Sequence, residues 1–327
     1  MDSLIFALNS VLPIILMVAI GYFLKRIGLL GGNIPKALNK LVFHLFLPVM
    51  LFLNVYKIQS ISSVGVGYIG YAAVILIAIF FLALPAVLIV TKQPARRGAI
   101  LQACFRSNYA LIGIPLAQSL FGDEGGMVAS LLSAFSVPAL NILAVIALSI
   151  FHEGNEKIRV RGILLDIVKN PLIRGVAMGG VALLVRFLFE NRGVELRLTD
   201  LTPIYKVLEY LGSLATPIAL LMLGAQFEFS SAPTLKKEII FGVIARTVAV
   251  PLIGLGVAYL FFPSFNGAHY AAFVAMFATP VSVSSVPMTQ EMGGDVILAG
   301  QLVVWTTVLS TFSIFLCAFL LRLAGIF

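Results

Sequence analysis

Two stretches of this 327-residue chain carry the same short pattern of helix breakers and amides. From Asn108 the sequence runs NYALIGIPLAQSLFGD, and from Pro280 it runs PVSVSSVPMTQEMGGD. Setting Pro115 on Pro287 also aligns Gln118 with Gln290, Gly122 with Gly294 and Asp123 with Asp295. The result is a P-x-x-Q-x-x-x-G-D repeat displaced by 172 residues. Proline removes a backbone donor and clashes with the preceding turn, so Pro115, Pro280 and Pro287 are expected to interrupt or kink helices. Gly113 and the run Ser282-Val283-Ser284-Ser285 loosen the same stretches. A broken helix presents the free N–H groups and positive dipole end of its second half, which favour an anion. Asn108, Ser282, Ser284 and Ser285 add amide and hydroxyl groups to orient one. The chemistry this implies is non-covalent capture of an anion.

Two arginines fall inside apolar runs. Arg106 lies roughly nine residues into its run, ~13 Å from the inner end at ~1.5 Å per residue, and Arg246 is placed similarly. An arginine at the centre of a membrane helix costs at least ~2.5 kcal/mol unless it finds a partner or water. No Asp or Glu lies deep in any apolar run to serve. A substrate carboxylate would answer for either arginine; backbone carbonyls, or snorkelling to the inner surface, are the alternative. Asn141, near a run's centre, and Asn54, near an outer end, are further polar candidates. His44 can titrate and couple transport to protons, although a lone histidine more often serves as a structural hydrogen-bonder. Gln118 and Gln290 take supporting places in the repeat. No phosphate-binding loop, zinc signature or paired-cysteine site occurs, and the Gly-Gly-Asp at 293–295 has no second intramembrane aspartate to form a dyad. No catalytic set, metal or cofactor is expected, and the chain does not read as an enzyme.

The elements that must position these residues are membrane helices. The chain is 60% hydrophobic and only 11% charged, about half the charge of an ordinary soluble domain. Ten apolar runs lie near 4–24, 36–56, 66–91, 97–121, 127–151, 171–189, 204–227, 236–262, 268–290 and 295–322, most long enough for a hydrocarbon core of ~30 Å. The first follows Asp2 and lacks a cleavage site, so it is expected to be a retained helix rather than a signal peptide. The loops and helix ends on one side hold fourteen Lys and Arg, against six on the other. By the positive-inside rule both termini are expected outside an inner or cell membrane. The net charge of +8 is spread between the runs with no dense stripe, so nucleic acid is not an expected partner. Cys104 and Cys317 read as buried thiols, and Gly175 with Gly179 as a close helix contact rather than a dimer seam. The expected fold is an all-α membrane protein of two inverted five-helix repeats, residues 1–160 and 161–327, with broken crossover helices 4 and 9.

The chain resembles the auxin efflux carrier family, which includes plant auxin exporters and bacterial malonate and malate permeases. The resemblance rests on N-K-L-V-F-H-L-F-L-P from Asn39, R-S-N-Y-A-L-I-G-I-P from Arg106, A-T-P-I-A-L-L-M-L-G from Ala215 and A-T-P-V-S-V-S-S-V-P from Ala278. It implies a fold like the bile-acid symporter and sodium/proton antiporter group. In that fold helices 1, 2, 6 and 7 form a scaffold, and helices 3–5 and 8–10 form a moving domain. It implies an elevator-type carrier of a small organic carboxylate held at the crossover, with Asn108 and Asn141 as contacts. Its partners would be the carboxylate, the bilayer and, as the candidate assembly, a second copy of the chain. The competing expectations are a sodium-coupled symporter, a ligand-binding sensor and a channel.

Overall fold

Hydrocarbon offers no water to a peptide group, so an apolar run must close its own hydrogen bonds, and a helix does so within one segment. The computed structural model describes residues 2–57, 66–151, 168–193 and 197–327; it is 84% helical, with no strand among those residues. Helices lie over each of the ten runs. They are α1 (Asp2–Arg26), α2 (Ile34–Leu41), α3 (Leu47–Tyr56), α4 (Val66–Val90), α5 (Pro94–Phe105), α6 (Ile114–Ile150), α7 (Pro171–Glu190), α8 (Thr202–Gln226), α9 (Lys236–Ile244), α10 (Val250–Phe261), α11 (Gly267–Phe277), α12 (Ser285–Glu291) and α13 (Val296–Leu323). Seven stretches among the described residues are long and apolar enough to cross a membrane. Large apolar side chains such as Phe81, Leu252 and Phe312 stand exposed on the outside of the bundle, as a lipid-facing surface requires. The expected boundary near residue 160, with Lys157, Arg159 and Arg161, lies outside the described residues.

Three prolines follow widened helical turns. Pro48, Pro115 and Pro251 each stand two residues after the end of a π-helical turn: Val42–Phe46, Tyr109–Gly113 and Ala245–Ala249. A proline ring clashes with the carbonyl four residues back, and a wider turn moves that carbonyl aside. The carbonyl four before Pro251 belongs to Thr247, and it accepts the Ser313 hydroxyl at 2.5 Å. Pro115 therefore sits inside the helical segment that restarts at Tyr109, where the π turn accommodates its ring, and not in the gap itself.

α6 is two helices. At Phe121 (φ −140°, ψ 31°) and Gly122 (φ 60°, ψ −156°) the backbone leaves helical geometry. A side chain added at Gly125 would lie 2.4 Å from the Ala117 carbonyl oxygen, whereas eight residues of straight helix would separate them by ~12 Å. The chain doubles back here, and only glycine adopts the Gly122 conformation readily.

Glycines also set the closest helix crossings. Gly21 of α1 and Gly224 of α8 face each other's helix; a Cβ on Gly224 would come within 1.9 Å of the Val18 carbonyl oxygen. Gly175 and Gly179 of α7 lie as closely on Pro48 and Phe52 of α3, so this pair is an internal packing seam. Gly224→Val is expected to force α1 and α8 apart at ~1–3 kcal/mol and to lower the melting temperature in detergent. An unchanged melting curve would contradict the close crossing.

Candidate substrate site

Helix α5 ends at Phe105 and the chain is non-helical through Arg106, Ser107 and Asn108; α11 ends at Phe277 and the chain runs non-helically to Ser284. The two gaps meet. The Asn108 N–H donates to the Pro280 carbonyl at 2.8 Å, the Ser282 N–H donates to the Arg106 carbonyl at 3.2 Å, and Ser107 pairs antiparallel with Val281. The Val281 N–H donates in turn to the Thr306 hydroxyl of α13 at 3.1 Å. Two breaks that would each strand polar backbone in hydrocarbon thus satisfy one another.

Arg106 is 2% exposed. One terminal nitrogen donates to Asn141 Oδ1 and to Ser284 Oγ, both at 2.8 Å; the other donates to Gln102 Oε1 at 3.2 Å and approaches the Met288 sulfur at 2.9 Å. Ser284 Oγ lies 2.9 Å from Ser282 Oγ, and Asn141 anchors its amide by donating to the Val137 carbonyl at 2.8 Å. All these partners are neutral, so none of them supplies a countercharge, and the dry setting strengthens the field of the guanidinium.

A cavity of about 240 Å³ opens over this charge. One wall carries Arg106, Ser107, Asn108, Asn141, Ser282 and Ser284; the facing wall carries Leu47, Met50, Leu51 and Asn54 of α3 with Ala215, Thr216 and Ala219 of α8. Arg106 is the single charged residue among those lining it. Ser107 Oγ and Asn108 Nδ2 are buried there without a hydrogen-bond partner among the described residues. Leaving buried donors unpaired costs about 1–3 kcal/mol each, and both belong to residues that line the cavity. A wider vestibule of about 850 Å³ shares Met50, Asn54, Leu111 and Thr216 with the cavity and also carries Pro115, Lys57 and Glu209. Lys57 bonds Glu209 at 3.0 Å. Burial lowers the affinity of this ammonium for its proton, but Glu209 and Tyr205 more than offset that and leave its pKa raised.

The remaining candidates fall elsewhere. Arg246 is fully buried and does not line the cavity. Its guanidinium donates to the carbonyls of Thr279 at 2.8 Å, Met276 at 2.9 Å and Phe105 at 3.2 Å. These are the C-terminal ends of α5 and α11, where helices leave carbonyls unpaired and negative. One planar cation therefore caps both interrupted helices at once. Pro280 contributes its carbonyl, while Pro287 and Ser285 are buried in α12 outside the cavity wall. Gln118 is exposed and donates to Asp123 at 3.2 Å beside the fold-back. Gln290, its aligned partner, joins α12 to α2 and α8: its Oε1 accepts from Asn39 at 3.0 Å and Gln226 at 3.1 Å, and it donates to the Lys36 carbonyl at 3.2 Å. His44 is exposed, 3.0 Å from the Lys40 carbonyl and 3.8 Å from Glu291. Ser107, Thr216 and Gln102 were not legible as site residues, although Ser107 stands between two that were.

Residues 6–318 match the sequence pattern of a family described as a membrane transport protein. The chain belongs to that family. It is the auxin efflux carrier type of membrane transport protein, in agreement with the four segments that carried the resemblance. An uncharacterized transporter of Methanocaldococcus jannaschii is 28% identical over 243 residues, 73% of each chain. An uncharacterized transporter of Methanothermobacter thermautotrophicus is 22% identical over 317 residues, 94% of this chain and 95% of that one. For a member of a membrane transport family, the crossing of α5–α6 with α11–α12 is the natural place to look for cargo. It is where charge, unpaired donors and a cavity coincide.

Proposed function

We propose that this membrane transport protein is a secondary carrier of a small organic anion, working by elevator-type alternating access. The observation that carries the reading is the cavity wall itself. A charged Arg106 stands beside the unpaired Ser107 Oγ and Asn108 Nδ2, with no carboxylate among the lining residues. A carboxylate from solution would supply the acceptors that these donors lack and the countercharge that Arg106 lacks.

The architecture proposed is two inverted five-helix repeats. The paired crossings support it: first helix on seventh (α1 on α8) and second on sixth (α3 on α7), each through a close glycine contact. Swapping the two halves exchanges one crossing for the other. α1, α2–α3, α7 and α8 would form the scaffold, and α4–α6 with α9–α13 the moving domain. The cavity lies between these sets, its polar wall on the moving side and its mostly apolar wall on the scaffold side. A cargo bound to the polar wall can travel with it past a surface that makes few specific bonds. The Asn39, Gln226 and Gln290 amides tie α12 to α2 and α8 between the same two sets. Both termini are proposed outside.

Purified protein in liposomes should take up a labelled short-chain carboxylate, with Asn108→Ala weakening the half-saturating concentration by about ten- to a hundredfold, the value of a hydrogen bond to a charged group. Uptake indistinguishable from wild type in Asn108→Ala would remove Asn108 from the site. Absence of any carboxylate flux, with saturable binding retained, would favour a sensor.

A further inference from the structure

We propose that the cavity selects monoanions, acids with one carboxylate and an uncharged, largely apolar remainder, over dicarboxylates of the same length. This rests on the anion-carrier reading of the same site and goes beyond it by counting charges. Arg106 is the single charged residue lining the cavity. One carboxylate against it neutralises the wall, and Ser107 Oγ and Asn108 Nδ2 are the unspent donors that fix its orientation.

A second carboxylate has nowhere comparable to go. The facing wall offers Leu47, Met50, Leu51 and Ala219, with the neutral Asn54 and Thr216 as its polar groups. The next cation toward the vestibule is Lys57, which already bonds Glu209 at 3.0 Å. A carboxylate brought there meets the Glu209 carboxylate together with the lysine. Burying a charge without a partner is far more costly than burying a methyl group in the same place. The apolar wall instead rewards an uncharged carbon body.

The test uses the unmodified protein and matched probes: propanoate, butanoate and pentanoate against propanedioate, butanedioate and pentanedioate, with butanamide as the uncharged control. Half-saturating concentrations are read from the rise in melting temperature with ligand, which follows ligand affinity. At about pH 8 each monocarboxylate is expected to bind at least tenfold more tightly than its dicarboxylate partner, with butanamide not binding. Lowering the pH to about 5.5 protonates one end of the dicarboxylates, whose second carboxyl titrates above an isolated one because of like-charge repulsion. They then become monoanions, and the gap is expected to narrow. Dicarboxylates binding as tightly as monocarboxylates at the higher pH would overturn the proposal while leaving the anion reading standing. A gap unaffected by pH would overturn charge counting as its cause. No binding by any acid would sink the anion reading and this inference with it.

Discussion

Arg106→Met is expected to reduce organic-anion uptake by about thirtyfold or more while leaving the folded protein close to wild-type stability. The guanidinium is the one charge on the cavity wall, and losing a desolvated charge partner costs about 2–5 kcal/mol of binding, a factor of ten for each ~1.4 kcal/mol. Stability should change less, because Asn141 and Ser284 line the cavity, where water can take the place of the guanidinium, and the expense of burying a cation disappears. Arg106→Lys should fall between the two, since an ammonium keeps the charge but loses the planar fork that reaches Asn141 and Gln102 together. Uptake into liposomes at matched protein content decides it. A methionine variant that transports normally would show that Arg106 braces the fold rather than the cargo.

Arg246→Met should behave in the opposite way, with the fold failing first. Its three carbonyl partners, on Phe105, Met276 and Thr279, are buried at helix ends. Each one orphaned costs about 1–3 kcal/mol, so the loss is roughly 3 kcal/mol or more, a large part of ordinary folding stability. The expected outcome is a melting temperature lower by several degrees, or protein that no longer elutes as a single species from detergent. Arg246→Lys should rescue little, because one ammonium cannot span carbonyls from two separate helix ends. Normal melting of the methionine variant would mean the carbonyls are satisfied in another way. The two arginines make a pair of opposite readouts, one lost in transport and the other in stability.

These outcomes divide along what a sequence can carry. Both arginines looked alike in the sequence: deep in an apolar run, with no acid nearby. The alternatives named for them, a cargo carboxylate or backbone carbonyls, were both reasonable, and the fold gives carbonyls to Arg246 and a cavity to Arg106. Gln118 and Gln290 are aligned by the repeat, yet one sits at an exposed fold-back and the other joins three helices. A shared sequence pattern does not give two side chains shared surroundings. The prolines mark places where helices change, but local chemistry does not tell that Pro280 lies within a gap while Pro115 lies several residues past one.

The sequence by itself determined that this chain is a helical membrane protein, where its helices run, and that two of them are interrupted. Those are local properties, set by apolar length, by proline's missing donor and by the absence of water as an alternative partner for the backbone. Its family was legible too, in short segments around Asn39, Arg106, Ala215 and Ala278. Only the tertiary structure decided which polar side chains share a cavity. Ser107 and Val281 are adjacent because two gaps, far apart in the chain, supply each other's missing backbone bonds. That closure turns one arginine toward a cavity and the other onto the helix ends, and neither direction is written in the residues that flank it.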